Sequence, residues 1–125
     1  EEVLGEARWR RNNPLREALD SGVRIAFGSD SLPFSPLYGI YWAVNHPVEE
    51  QRLTVSEALQ FYTLGSAYAS FEEEVKGSIE EGKLADLIVL SEDPFGALDI
   101  GDIAIELTLL GGEVVHGSLK KELVC

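Results

Sequence analysis

Arg24-Ile25-Ala26-Phe27-Gly28-Ser29-Asp30-Ser31 is a short apolar run that stops at an acid. Ile25 to Phe27, with Val23 before it, predicts a strand buried on both faces. The ten residues ahead of it predict a helix. Asn13 suits the N-cap, Pro14 the first helical position and Gly22 the position just past the end, while Leu15, Ala18 and Leu19 share one face. Helix, glycine turn, apolar strand and polar tip form the grammar of an α/β protein, in which chemistry gathers at the carboxyl ends of parallel strands. Asp30 stands at that tip.

The 125 residues are 45% hydrophobic and 26% charged, enough for one core in an ordinary water-facing domain. Twenty-two Asp and Glu stand against ten Lys and Arg, for a net charge of −12. Such a surface repels phosphate backbones and anionic lipid, which argues against nucleic-acid and membrane partners. No apolar run is long enough to span a bilayer, and no basic-then-apolar start resembles a signal peptide. The one Cys, at position 125, has no internal partner and no metal-site spacing. These features predict a cytoplasmic protein. The chain opens on Glu1-Glu2 and contains no Met, which favours a piece of a longer protein over a trimmed one.

After Asp30, the prolines at 33 and 36 among Ser, Phe and Tyr predict a loop suited to a pocket wall, with a short helix through Gly39 to Val44. Thr54-Val55-Ser56-Glu57 has capping-box spacing and predicts a helix from about Val55 to Leu64, interrupted at Gly65 and resumed over Ala67 to Ala69. Glu72-Glu73-Glu74 reads as a solvated charge run. From Gly77 the pattern changes to period two. Asp86 to Leu90 predicts a strand, and Ile103 to Leu110, Gly111-Gly112 and Glu113 to His116 predict a hairpin. The chain therefore divides near residue 76, with helix–strand–loop–helix before it and a small antiparallel sheet after it.

Gly77-Ser78-Ile79-Glu80-Glu81-Gly82-Lys83 has the spacing of a phosphate-binding loop. Leu84 lacks the hydroxyl that would hold magnesium, two glutamates repel phosphate, and a strand follows where a helix is needed. A plain turn explains it better. Asp30, by spacing alone, suits a cap or Asx turn better than it suits a carboxylate that ligates metal or accepts a proton from water. His46 and His116 lack metal-motif spacing and read as surface or edge residues, so no complete zinc site is visible.

Larger runs carry a resemblance. Gly22 to Asp30, through Ser35-Pro36-Leu37, resembles the last barrel strand of the metal-dependent amidohydrolases. Leu53-Thr54-Val55-Ser56-Glu57-Ala58-Leu59, Tyr62-Thr63 and Ala67-Tyr68-Ala69 resemble the last barrel helix. Lys76-Gly77-Ser78-Ile79-Glu80-Glu81-Gly82-Lys83-Leu84-Ala85-Asp86-Leu87-Ile88-Val89-Leu90 resembles the turn by which those enzymes leave the barrel for a small β-sandwich, and Gly111-Gly112-Glu113-Val114-Val115 its closing hairpin. The branch is that of the N-substituted formamide deformylases and YtcJ-like hydrolases.

The resemblance implies an α/β fold: residues 1–76 as the last part of a (β/α)8 hydrolase barrel, and residues 77–125 as a mostly antiparallel β-sandwich segment. It implies hydrolysis of carbon–nitrogen bonds in small amide-like substrates, with a divalent metal, zinc foremost, in the complete enzyme. Asp30 matches the carboxylate that approaches that metal and takes the proton of the attacking water. Ser31, Pro33, Ser35 and Pro36 are then the substrate-side residues. The family's histidines have no counterpart in this chain, so the fragment alone is expected to hold no metal and to be inactive. The strand at 23–27 is expected to be covered by an upstream part of the chain or by a second copy. Two alternatives remain: a binding or structural module that kept the tail and lost catalysis, and an independent enzyme built on Asp30.

Overall fold

The computed structural model describes residues 3–30 and 33–118. A short helix α1 (Glu6–Trp9) and α2 (Leu15–Asp20) precede the Asp30 segment, and α3 (Pro36–Val44) follows it. One long helix comes next, composed of α4 (Val55–Gln60), a π turn (Phe61–Gly65) and α5 (Ser66–Ala69). Strands β1 (Leu87–Leu90), β2 (Ile105–Leu110) and β3 (Glu113–Gly117) form an antiparallel sheet in the order β1-β2-β3. Helices packed with a sheet give an α/β fold. The sheet is one layer among the described residues.

The core is centred on α3. Leu37, Ile40 and Ala43 recur at helical spacing and pack with Leu53, Ala58, Phe61, Ile100 and Ile103. The expected proline loop therefore gives way to helix three residues earlier than Gly39. Proline at the first helical position loses no hydrogen bond, and the Ser35 hydroxyl accepts from the Tyr38 amide at 3.3 Å. Pro36 thus starts a helix where prolines in this stretch predict a loop.

Helix α2 stops as its sequence demands. Gly22 takes φ 76°, the Val23 amide reaches the Ala18 carbonyl at 3.2 Å, and the Gly22 amide reaches Leu19 at 2.9 Å. Those paired bonds are a Schellman stop. Its start is different from the expectation. Asn13 does not cap it; the Gln51 side-chain oxygen accepts from the Arg16 and Glu17 amides at 3.1 and 3.2 Å, from 35 residues away along the chain. Arg16 then grips Glu57 with two bonds of 2.9 and 2.7 Å. Glu57 also closes the expected capping box with Thr54. The bidentate Arg16 fork holds the Glu57 carboxyl down at about 2.

Residues 23–30 form no strand, because a ladder needs a neighbouring strand and the described residues provide none beside them. Nor is the segment buried on both faces. Ile25, Phe27 and Ser29 are half-buried, while Arg24, Ala26, Gly28 and Asp30 are exposed. That alternation is a strand's period with one face covered. The covering is the long helix. Phe27 meets the rings of Phe61 and Tyr62 edge-on, each with centroids 5.3 Å apart, and the Arg24 guanidinium lies 4.0 Å over the Tyr68 ring.

Gly65 does not interrupt the long helix. It lets the segment approach: a methyl group added there would run into the Ile25 carbonyl oxygen. In the β half, Gly111 and Gly112 both have positive φ, 57° and 84°, as a two-residue hairpin turn requires. The Asp86 carboxylate pins that turn by accepting from the Gly111 amide at 2.7 Å.

Two outcomes follow from these contacts. Gly→Ala in a helix interior ordinarily stabilises by about 1 kcal/mol; Gly65→Ala should instead lower the urea midpoint, because the added carbon meets backbone. The Glu57 carboxyl is depressed in the folded state, so its contribution is complete above the unfolded value near 4.5 and is lost as pH falls toward about 2. Urea midpoints measured from pH 6 to pH 3 should fall less steeply in Arg16→Ala than in the parent.

Candidate functional site

Asp30 ends the segment held on the long helix. Its backbone is left-handed, φ 53°, a conformation that Asp tolerates better than most residues. The side chain is exposed and makes no hydrogen bond or ion pair among the described residues. Pro33 is exposed, and its carbonyl accepts from the Ser35 amide at 2.8 Å. Ser35 is half-buried at the start of α3, with its hydroxyl facing Tyr38, and Pro36 is exposed in the first turn. Ser31 lies outside the described residues. Of the expected substrate-side positions, the described ones, Pro33, Ser35 and Pro36, lead into α3, with Ser35 engaged as its cap.

A cavity of about 280 Å³ reaches Gly28, two residues before Asp30, and is walled by Phe27, Trp42, Tyr62, Asn13 and His46. His46 is not the surface residue its spacing suggested. It is 8% exposed, and its Nδ1 lies 3.1 Å from both the amide and the carbonyl oxygen of Val48. A ring that bonds the backbone two residues on closes the His46-Pro47-Val48 turn. His116 lies on β3, opposite Thr108, and is exposed there.

No group of three or more His, Cys, Asp and Glu able to hold an ion occurs among the described residues, whereas a catalytic zinc takes about three protein ligands.

The turn with phosphate-loop spacing is organised around its own lysine. Lys83 Nζ donates to the Glu73 carbonyl at 2.6 Å and to Ser78 Oγ at 2.7 Å, and it pairs with Glu80 at 3.4 Å. Only 12% of that side chain is exposed, and the chain continues into β1. The cation is committed within the turn. No helix among the described residues is long and apolar enough to cross a membrane.

The sequence reading missed the π turn and the hydroxyl beside it. Phe61 O accepts from the Phe27 amide at 3.0 Å, and Ser66 Oγ lies 2.9 Å from Phe27 O and 3.0 Å from Phe61 O. The one available signal is Gly65-Ser66 inside a helical run, a pattern that by itself predicts a break.

The family model described as the Amidohydrolase family matches residues 1–116. The chain belongs to that family. It is 38% identical over 102 residues to the N-substituted formamide deformylase of Arthrobacter pascens, covering 69% of this chain and 19% of that protein. It is 36% identical over 128 residues to the amidohydrolase YtcJ of Bacillus subtilis strain 168, covering 90% of this chain and 24% of YtcJ. The crystal structure of an amidohydrolase from Thermotoga maritima superposes with a TM-score of 0.65 at 28% identity, over 83% of this chain and 26% of that one. The chain therefore spans about a fifth to a quarter of the length of these relatives.

Because His46 works as a turn closure, His46→Ala should lower unfolding free energy by about 1–3 kcal/mol, the cost of leaving a buried backbone group unpaired. His46→Asn, which keeps an acceptor, should recover part of it. Urea titrations of the two variants beside the parent measure the difference.

Proposed function

We propose that these residues are the C-terminal part of a metal-dependent hydrolase that cleaves carbon–nitrogen bonds, other than peptide bonds, in small amide-like molecules. In this reading residues 1–76 finish a (β/α)8 barrel and residues 77–125 enter a β-sandwich. The observation that carries it is the family match over residues 1–116, which includes an exposed acid at the end of a one-sided apolar segment. The open face through Arg24, Ala26, Gly28 and Asp30 supports it, since that is the face a barrel interior or a second copy would cover. Exposed apolar residues on the β half, Ile79, Ile88 and Val115 among them, support a covering partner there too. The cytoplasm is the proposed compartment.

Asp30 is the general base. A carboxylate with no hydrogen-bond or ion-pair partner among the described residues is free to accept a proton from the attacking water, and Ser31, Pro33, Ser35 and Pro36 are the proposed substrate-side residues. A divalent metal, zinc foremost, belongs to this reading, and its remaining ligands would come from beyond the described residues, because one carboxylate does not hold it. Taken alone, the 125 residues should show no turnover.

In the full-length protein, Asp30→Asn should lower kcat by about 10² to 10⁴ while preserving the fold, because Asn is nearly isosteric and cannot take the proton. Steady-state kinetics with formanilide as the probe amide, beside circular dichroism, measure this. Parental kcat in a folded Asp30→Asn variant would remove Asp30 from the chemistry.

A further inference from the structure

We infer that Ser66, together with the π turn beside it, is the positioning residue for Asp30, an inference that rests on the reading of Asp30 as the base. Phe27 is the last residue before Asp30 whose backbone is bonded to the long helix among the described residues. Both of its polar groups are held there. Its amide donates to Phe61 O at 3.0 Å, and its carbonyl lies 2.9 Å from Ser66 Oγ. The same hydroxyl lies 3.0 Å from Phe61 O, so one O–H spans the two carbonyls.

The π turn makes this possible. Its i→i+5 register widens the helix and lets a carbonyl at its start bond outside the ladder, and such turns recur at functional sites. Gly65, next to Ser66, is the position where the helix backbone comes up against Ile25 O. The Phe27 ring, wedged between Phe61 and Tyr62, fixes the third direction.

Leverage makes the anchor matter. Asp30 is three residues on, a reach of at most about 10 Å, so a tilt of about 10° at Phe27 moves the carboxylate by roughly 1.7 Å. A misplacement of about 1 Å is enough to cost 10²-fold in rate. Serine in a helix can also bond its own helix without any such role. The distinguishing feature here is that the hydroxyl reaches a carbonyl 39 residues away.

The test uses the full-length protein carrying Ser66→Ala, Ser66→Thr and, separately, Asp30→Asn, with formanilide as probe. Ser66→Ala should lower kcat about tenfold with KM within twofold, and amide exchange at Phe27 should quicken about tenfold. Ser66→Thr, which keeps the hydroxyl, should restore both. Parental kcat in Ser66→Ala alongside a dead Asp30→Asn overturns the inference and leaves the base assignment standing. Parental turnover in Asp30→Asn overturns the base assignment and the inference with it. Unchanged exchange at Phe27 in Ser66→Ala overturns the anchor whatever the kinetics show.

Discussion

The hydrogen bond from the Phe27 amide to the Phe61 carbonyl joins the segment that ends at Asp30 to the longest helix among the described residues. Without it, residues 23–30 would have nothing regular to hold them, since no strand lies beside them among the described residues. A lone apolar segment in water gains little from its own backbone. Its order comes from burying Ile25 and Phe27 on one side and from satisfying Phe27 twice. Asp30 is left outside, exposed, in a left-handed conformation.

The rest of the fold holds that helix still. Glu57 closes the capping box with Thr54 and takes both arms of Arg16, while Gln51 caps the helix from which Arg16 projects. Two helices are thereby locked at one corner by charge-assisted bonds. α3 also packs against α4, and Ile100 and Ile103 from the chain after β1 complete the core around Ile40. The family's extent is consistent with this continuity, because one match runs from the first residue to the hairpin.

Signals that act within a few residues were legible in the sequence. Gly22 ended α2, Thr54 with Glu57 started α4, and Gly111-Gly112 turned the hairpin, each through local geometry that one residue type favours. Signals that act at a distance were not. Gln51 caps a helix 35 residues away, and nothing in its surroundings announces it. Pro36 looks the same whether it breaks a helix or begins one, and only the burial of Leu37 and Ile40 decides. His46 carries no spacing that reveals a ring turned back on Val48. The π turn is the hardest case, since helical periodicity is blind to one extra residue in a turn and a mid-helix glycine suggests a break. As for the site, Asp30 was legible as a segment-end acid, while the hydroxyl and carbonyl that hold its segment were not.

The Asp30 segment hangs from the π turn, and a trans-hydrogen-bond scalar coupling tests this most directly. In protein labelled with ¹⁵N and ¹³C, a cross-peak between the Phe27 amide nitrogen and the Phe61 carbonyl carbon is the predicted result. A Phe61 carbonyl coupled only to the Gly65 amide, as in an unbroken α-helix, with the Phe27 amide coupled to no carbonyl, would contradict the account.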